Sequence, residues 1–380
     1  MPPLASPLRL GRLELKNRLV MPPMVLFKPK SAGWQPDRSH LEYYEKRAQA
    51  GTGLIVVEAT AVAPGGRLAP FQLRAWEDSQ IEALAGIARA IKRHGAAALV
   101  QIHHAGANTR PEYLDGVAPV SPSGIPAGRG DGGTPRAMTG EEIAAAIEAF
   151  AAAARRCLQA GFDGVELHGA HGYLLSQFLS PAFNHRRDEW GGPALRQRLS
   201  FPLAVARAVR AAMGERALLG YRLGAAEFFE GGLPLSEGIE AARVLAGSGL
   251  VDVLHVSHGM GGGDWPAPPA DFPFGTLMWL GAQVKKAVNI PVIAVGGIRT
   301  GADAQTALDL GVGDLIAAGR AMLADPLWTA KALAERDGEL ALCRSCARCL
   351  HFTRADRCPA RAQAGASVSP RGPNPSASTG

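Results

Sequence analysis

Short apolar runs alternate with longer stretches of helical periodicity, and the alternation repeats eight times along the chain. The runs cover residues 18–21, 54–58, 98–103, 164–168, 218–223, 253–257, 292–295 and 315–318. Most are apolar throughout, as strands buried on both faces of a parallel sheet must be. A helical pattern follows each one, over 38–50, 79–94, 141–160, 195–213, 236–247, 276–288, 302–310 and 322–336. The third begins after Thr139 with Glu142 three residues on, which predicts a capping box. Eight successive βα units predict an α/β fold, a single closed (β/α)8 TIM barrel. Two halves of a doubly wound sheet could imitate the count, but no run is followed directly by G-x-G-x-x-G. The barrel is expected over 1–336, a cysteine-rich extension over 337–358 and a disordered tail over 359–380. The tail has no aromatic residue and little to bury.

Composition excludes several other classes. With 47% hydrophobic and 19% charged residues, the chain has ample material for a core. No apolar run approaches the roughly 18 residues of a membrane-spanning helix. The first residues, MPPLASPLRLGRLELKNR, lack the apolar core of a signal peptide. A cytoplasmic protein without a membrane partner is expected. The net charge of +6 invites a nucleic-acid reading, but its distribution opposes one. From Cys343 onward there are six arginines and one acid, Asp356, while the preceding residues are nearly balanced. No nucleic-acid partner is expected.

In a barrel of this kind the active site is built where the strands end. The ends of the first, third, fourth and fifth runs offer Pro22-Pro23-Met24-Val25, Gln101, His168 with His171 and Tyr173, and Arg222. The last two runs end in Gly296-Gly297 and Gly319-Arg320, which suit a phosphate: glycine lets backbone N–H groups approach, and arginine adds a bidentate donor. Turn glycines and a surface arginine would give the same letters. Arg222 lies within an apolar run, so it must face an anion, either a ring system or a carboxylate. His168 and His171 could ligate a metal, but no H-E-x-x-H spacing or local carboxylate completes such a site. They could be structural turn residues. They could also be two hydrogen-bond donors aimed at an oxygen that gains charge, with Tyr173 supplying a proton. The segments 108–136 and 259–275 are rich in Gly and Pro and are expected as loops over the barrel mouth.

Several segments together resemble the Old Yellow Enzyme family of FMN-dependent ene-reductases. They are NRLVMPPM (17–24), YYEKRAQAGTGLIVVEATAV (43–62), VQIHHAG (100–106), GFDGVELHGAHGYLLSQFLSPAFNHRRDEWGG (161–192), IPVIAVGGI (290–298) and DLIAAGRAMLADP (314–326). The resemblance implies FMN held noncovalently at the barrel mouth. Carried over by position, Pro23, Met24 and Ala59 would line the flavin, with Val25 near its O4. Gln101 would bond the pyrimidine edge, and Arg222 would face N1 and O2. Gly296, Gly297, Gly319 and Arg320 would hold the phosphate. The implied activity is NADH- or NADPH-driven reduction of the activated C=C bond of enones and enals. Flavin N5 would deliver hydride, His168 and His171 would bind the carbonyl oxygen, and Tyr173 would protonate the α-carbon. Family members are often dimers or larger, which implies a homo-oligomer. Three departures stand out. Val25 occupies the place of a Cys or Thr and cannot donate a hydrogen bond. Ala107 replaces an arginine after H-A-G. GGPALRQR replaces a G-G-S-L-E-N-R run.

Four of the five cysteines crowd together as Cys343-x2-Cys346-x2-Cys349-x8-Cys358. Four thiolates so spaced suit an Fe–S cluster or zinc, and four unligated thiols are the alternative. The pattern partly resembles the [4Fe–4S] site of the larger 2,4-dienoyl-CoA reductase and trimethylamine dehydrogenase type, with a shorter last gap. It therefore opens two further functions. One is an amine-oxidising, demethylating or dienoyl-CoA-type enzyme exchanging electrons through a cluster with a separate protein. The other is a noncatalytic flavin or metal electron-transfer subunit, which would have no need of Tyr173 as a proton donor.

Overall fold

Eight apolar segments pair in parallel and close on themselves in the computed structural model, which describes residues 3–26, 33–127, 133–261, 265–346, 349 and 358–361. The strands are β1 (Leu19–Met21), β2 (Leu54–Ala61), β3 (Ala97–His103) and β4 (Gly164–Gly169). They continue as β5 (Leu218–Gly224), β6 (Val253–Ser257), β7 (Val292–Val295) and β8 (Leu315–Ala317). Each pairs with the next, and β8 returns to β1 with Ile316 opposite Leu19. The expected (β/α)8 TIM barrel is the fold. In β2 the register slips between Val57 and Thr60, and Glu58 there meets Tyr44 and His40 on the first helix.

The sheath consists of α1 (Arg38–Gln49), α2 (Ile81–Lys92), α3 (Gly140–Gln159), α4 (Ser200–Met213), α5 (Leu235–Gly247), α6 (Thr276–Lys285), α7 (Gly301–Asp309) and α8 (Trp328–Leu333). The capping box before α3 forms as expected: Thr139 Oγ1 accepts from Glu142 N at 3.2 Å, and Glu142 Oε2 accepts from Thr139 N at 3.0 Å. The single helix expected over 322–336 is two, Gly319–Ala324 and α8. Pro326 is the reason. It drives the preceding Asp325 out of helical geometry, to φ −124° and ψ 105°.

The barrel's N-terminal end carries an element that the periodicity does not announce. Leu8–Leu10 and Leu13–Leu15 form an antiparallel hairpin turned at Gly11, where φ is +55°. Leu10 and Leu15 pack against Leu54, Leu99, Leu218, Val253, Ile293 and Leu315 inside the barrel. Burying one leucine side chain contributes about 2 kcal/mol, so the hairpin is a hydrophobic plug.

At the opposite end the described parts of the long segments are loops. The first holds a turn at Pro111–Tyr113 and a two-residue strand pair, Val120–Ser121 with Arg136–Ala137. Buried Glu227 joins three loops: it accepts from Ser180 Oγ at 2.5 Å, Leu233 N at 3.0 Å and Met260 N at 3.2 Å. Of the expected disordered tail, Ala360 and Arg361 pack on the barrel. Ala360 meets Ala324 and Ala341, and Arg361 donates to Leu323 O at 2.7 Å. Residues 362–380 of the tail lie outside the described residues. Among the described residues no helix is long and apolar enough to cross a membrane.

Candidate active site

Side chains alternate along a strand, so every second residue faces the barrel axis. The inward set is Leu99, Gln101 and His103 on β3, and Glu166 and His168 on β4. It continues with Leu218, Gly220 and Arg222 on β5 and Val253, His255 and Ser257 on β6. Each strand therefore starts apolar and ends polar. Gln101 pairs in register with Glu166, and His168 with Arg222 and then His255.

A cavity of about 920 Å³ opens at the polar end. Pro23, Met24, Val25 and Ala59 line it from β1 and β2, and Gln101 and Arg222 join them. His168, His171 and Tyr173 supply another part of its lining. A smaller cavity of about 420 Å³ shares Pro23, Met24 and Arg222 and is lined by Gly296, Gly297, Gly319 and Arg320. All thirteen flavin and substrate positions singled out in the sequence thus meet in two adjoining spaces. At Gly296 and Gly297 φ is +142° and +72°, conformations that a side chain strains. Arg320 donates to Ser345 Oγ at 3.2 Å, so the C-terminal extension reaches the smaller cavity, and Cys343 also lines it.

The histidine wall is closely packed. Ring centres are 5.0 Å apart for His168 and His171, 4.8 Å for His168 and Tyr173, and 4.7 Å for His103 and Tyr173. His171 Nδ1 lies 3.4 Å from His168 Nε2, and His171 Nε2 lies 2.8 Å from Ser257 Oγ. His171 adopts φ +60°, held by its N–H on His258 O at 3.1 Å. A non-glycine residue in that region is strained, and such strain clusters at functional sites. Burial, reinforced by the neighbouring imidazoles and Arg222, pushes the pKa of His168 and His171 well below the ordinary value. Both are neutral near pH 7, and each has one N–H to donate.

Several neighbours of these residues were not singled out in the sequence. Glu166 and His255 lie in runs that look uniformly apolar, Ser257 ends one, and His258 follows it. Each polar letter inside a buried strand carried the signal, because such a group is costly without a partner. Ala107, in place of an arginine, packs with Ala127, Phe183 and Met260.

The four clustered cysteines are only partly brought together. Cys343 and Cys358 are half-buried and pack on the same small group of Ala324, Ala341 and Ala360. Cys346 and Cys349 are exposed. Among the described residues, no three His, Cys, Asp or Glu side chains gather as a metal site would.

Residues 3–339 match the model of the NADH:flavin oxidoreductase / NADH oxidase family. An NADH oxidase of Thermoanaerobacter brockii is 41% identical over 348 residues, 91% of this chain and 53% of that protein. The chain therefore spans about half the length of that relative. An NADPH dehydrogenase of Halalkalibacterium halodurans is 38% identical, over 85% of this chain and 91% of the relative. Among solved structures, 2-naphthoyl-CoA reductase superposes with a TM-score of 0.85 at 27% identity, over 92% of this chain and 55% of that one. Morphinone reductase superposes at 0.74 and 29% identity, over 88% and 92%. The chain belongs to the NADH:flavin oxidoreductase / NADH oxidase family, oxidoreductases that use FMN with NADH or NADPH.

Proposed function

We propose that this chain reduces the activated C=C bond of α,β-unsaturated carbonyl compounds at the expense of NADH or NADPH. One observation carries the reading: His168, His171 and Tyr173 stand with ring centres about 5 Å apart in the same cavity as Gln101 and Arg222. The residues fit FMN. Arg222 Nε is buried with no hydrogen-bond partner, and nothing lies within 4 Å of where a Cβ on Gly297 would stand. Gln101 and Arg222 would hold the ring system, with Pro23, Met24, Val25 and Ala59 beside it. Gly296, Gly297, Gly319 and Arg320 would hold the phosphate. When bound, FMN supplies the hydride.

The chain's own residues do the rest. His168 and His171, both neutral, donate to the substrate carbonyl and stabilise the charge that develops on its oxygen. Ser257 occupies His171 Nε2, which fixes how that ring turns. Tyr173 gives its phenolic proton to the α-carbon. The test is anaerobic NAD(P)H oxidation with and without cyclohexenone. The enone should stimulate turnover, and Tyr173→Phe should reduce that stimulation about 100-fold while leaving flavin reduction by NAD(P)H in place. No stimulation by any enone or enal would reject the reading.

A second reading has its own observation: Cys343 and Cys358 both pack on the group of Ala324, Ala341 and Ala360, and Cys343 lines the smaller cavity. These thiols, with Cys346 and Cys349, would hold an Fe–S cluster or zinc close to the flavin. Iron and zinc assays on protein purified without oxygen decide it.

A further inference from the structure

Glu166 and His255 take no part in the reaction proposed above, yet they occupy the centre of the barrel. Neither lines either of the two cavities described above, and they are 1% and 0% exposed. An ionisable pair so deep is costly unless each group is satisfied. Glu166 Oε1 accepts from Gln101 Nε2 at 2.8 Å, and Glu166 Oε2 meets His255 Nδ1 at 2.8 Å. Gly220, on the next strand, leaves room, since even a Cβ there would sit 3.6 Å from the Glu166 side chain.

Burial raises the Glu166 pKa, but His255, Arg222 and Gln101 together outweigh it and hold the carboxyl below its ordinary value. Burial lowers His255, and Glu166 only partly offsets that. The pair is thus a carboxylate beside a neutral imidazole. A carboxylate only accepts, and this settles two orientations. Gln101 must turn its NH2 group to Glu166, which leaves its carbonyl oxygen and one N–H for the cavity. His255 must carry its proton on Nδ1, which leaves Nε2 bare, and that atom is buried with no partner. The same carboxylate offsets the charge of Arg222, whose pKa burial lowers and Glu166 supports.

We propose that Glu166 is a positioning residue for the flavin: it fixes the amide of Gln101 for the pyrimidine edge and sets a negative charge near Arg222, which makes the cofactor harder to reduce and a stronger hydride donor. The inference rests on the FMN placement proposed above and is independent of which alkene is reduced.

The experiment is a reductive titration of FMN-loaded protein against a reference dye. Glu166→Gln removes the charge at nearly constant shape. Reduced FMN should then gain about tenfold in binding over oxidised FMN, a rise of about 30 mV in the two-electron potential. Glu166→Asp keeps the charge but falls short of Gln101, so it should hold the wild-type potential and weaken FMN binding several-fold. An unchanged potential in folded, loaded Glu166→Gln would overturn the proposal. If that variant does not fold, infrared difference spectra of wild-type protein labelled with 13C-glutamate replace it. Flavin reduction must then shift an ionised glutamate band, and a silent spectrum overturns the proposal equally. Wild-type protein that takes up no FMN would overturn the cofactor placement as well, and that measurement comes first.

Discussion

The two ends of this barrel use the same eight strands for opposite purposes. At the N-terminal end the inward residues are Leu54, Leu99, Leu218, Val253, Ile293 and Leu315, sealed by Leu10 and Leu15 of the hairpin. At the C-terminal end β3, β4, β5 and β6 point Gln101, His103, Glu166, His168, Arg222, His255 and Ser257 inward, and several of their buried atoms have no protein partner. Apolar packing needs no orientation and tolerates no gap. A polar layer needs partners, and those it lacks within the protein are the ones that a ligand can provide. Stability is concentrated at one end and chemistry at the other, two to four residues apart along a strand.

The largest expected effect tests that separation directly. Leu99 is 1% exposed in the plug-facing core, so Leu99→Ala should cost about 2–5 kcal/mol of unfolding free energy. Denaturant titration reads it. The folded fraction should retain wild-type FMN content and potential. A shifted potential would mean that the ends are coupled, and the comparison would fail.

That division explains what the sequence made legible. Alternating runs and helical patterns are set by burial, so the barrel and the capping box at Thr139 could be read in advance. So could the residues at strand ends, because the fold itself says where a site must be. Glu166 and His255 could not be assigned partners, since each is one polar letter in an apolar run and the partner sits on another strand. The hairpin is illegible for a different reason: LRLGRLEL carries too few residues for a period to show, and only packing on the barrel floor gives it a shape. The break at Asp325-Pro326 is local chemistry, a proline that disfavours helix in the residue before it, and the apolar pattern running on across it conceals the break.

An effect of comparable size follows from acid. Burial lowers the pKa of His103 to about 3 and of His104 to about 4. The ordinary imidazole value is near 6.5. The unfolded chain therefore takes up protons first as the pH falls. Stability from these neutral rings is complete above about pH 6.5 and is lost progressively toward pH 4, by about 1.4 kcal/mol per pH unit for each ring. The apolar end has no such group. Unfolding midpoints measured between pH 7.5 and pH 4.5 should show that slope, and His103→Phe should remove its share. An unaltered slope in that variant would place the acid sensitivity elsewhere.

The smallest effect lies at the boundary between the ends, where two inward glycines differ. At Gly164 a Cβ would fall 1.9 Å from Leu218 O, so the backbone of β5 forbids a side chain. At Gly220 the nearest atoms would be Val253 Cγ1 at 3.5 Å and the Glu166 side chain at 3.6 Å, which are ordinary contacts. One neighbour belongs to the apolar layer and the other to the polar one. Gly220→Ala should therefore fit without displacing either. It restricts the unfolded chain, so it should stabilise the protein by up to about 1 kcal/mol. Thermal and denaturant midpoints check the sign. A gain in stability with an unchanged flavin potential would show that the boundary has slack. A loss would mean that Glu166 cannot shift even slightly, and that the polar layer is as tightly packed as the plug beneath it.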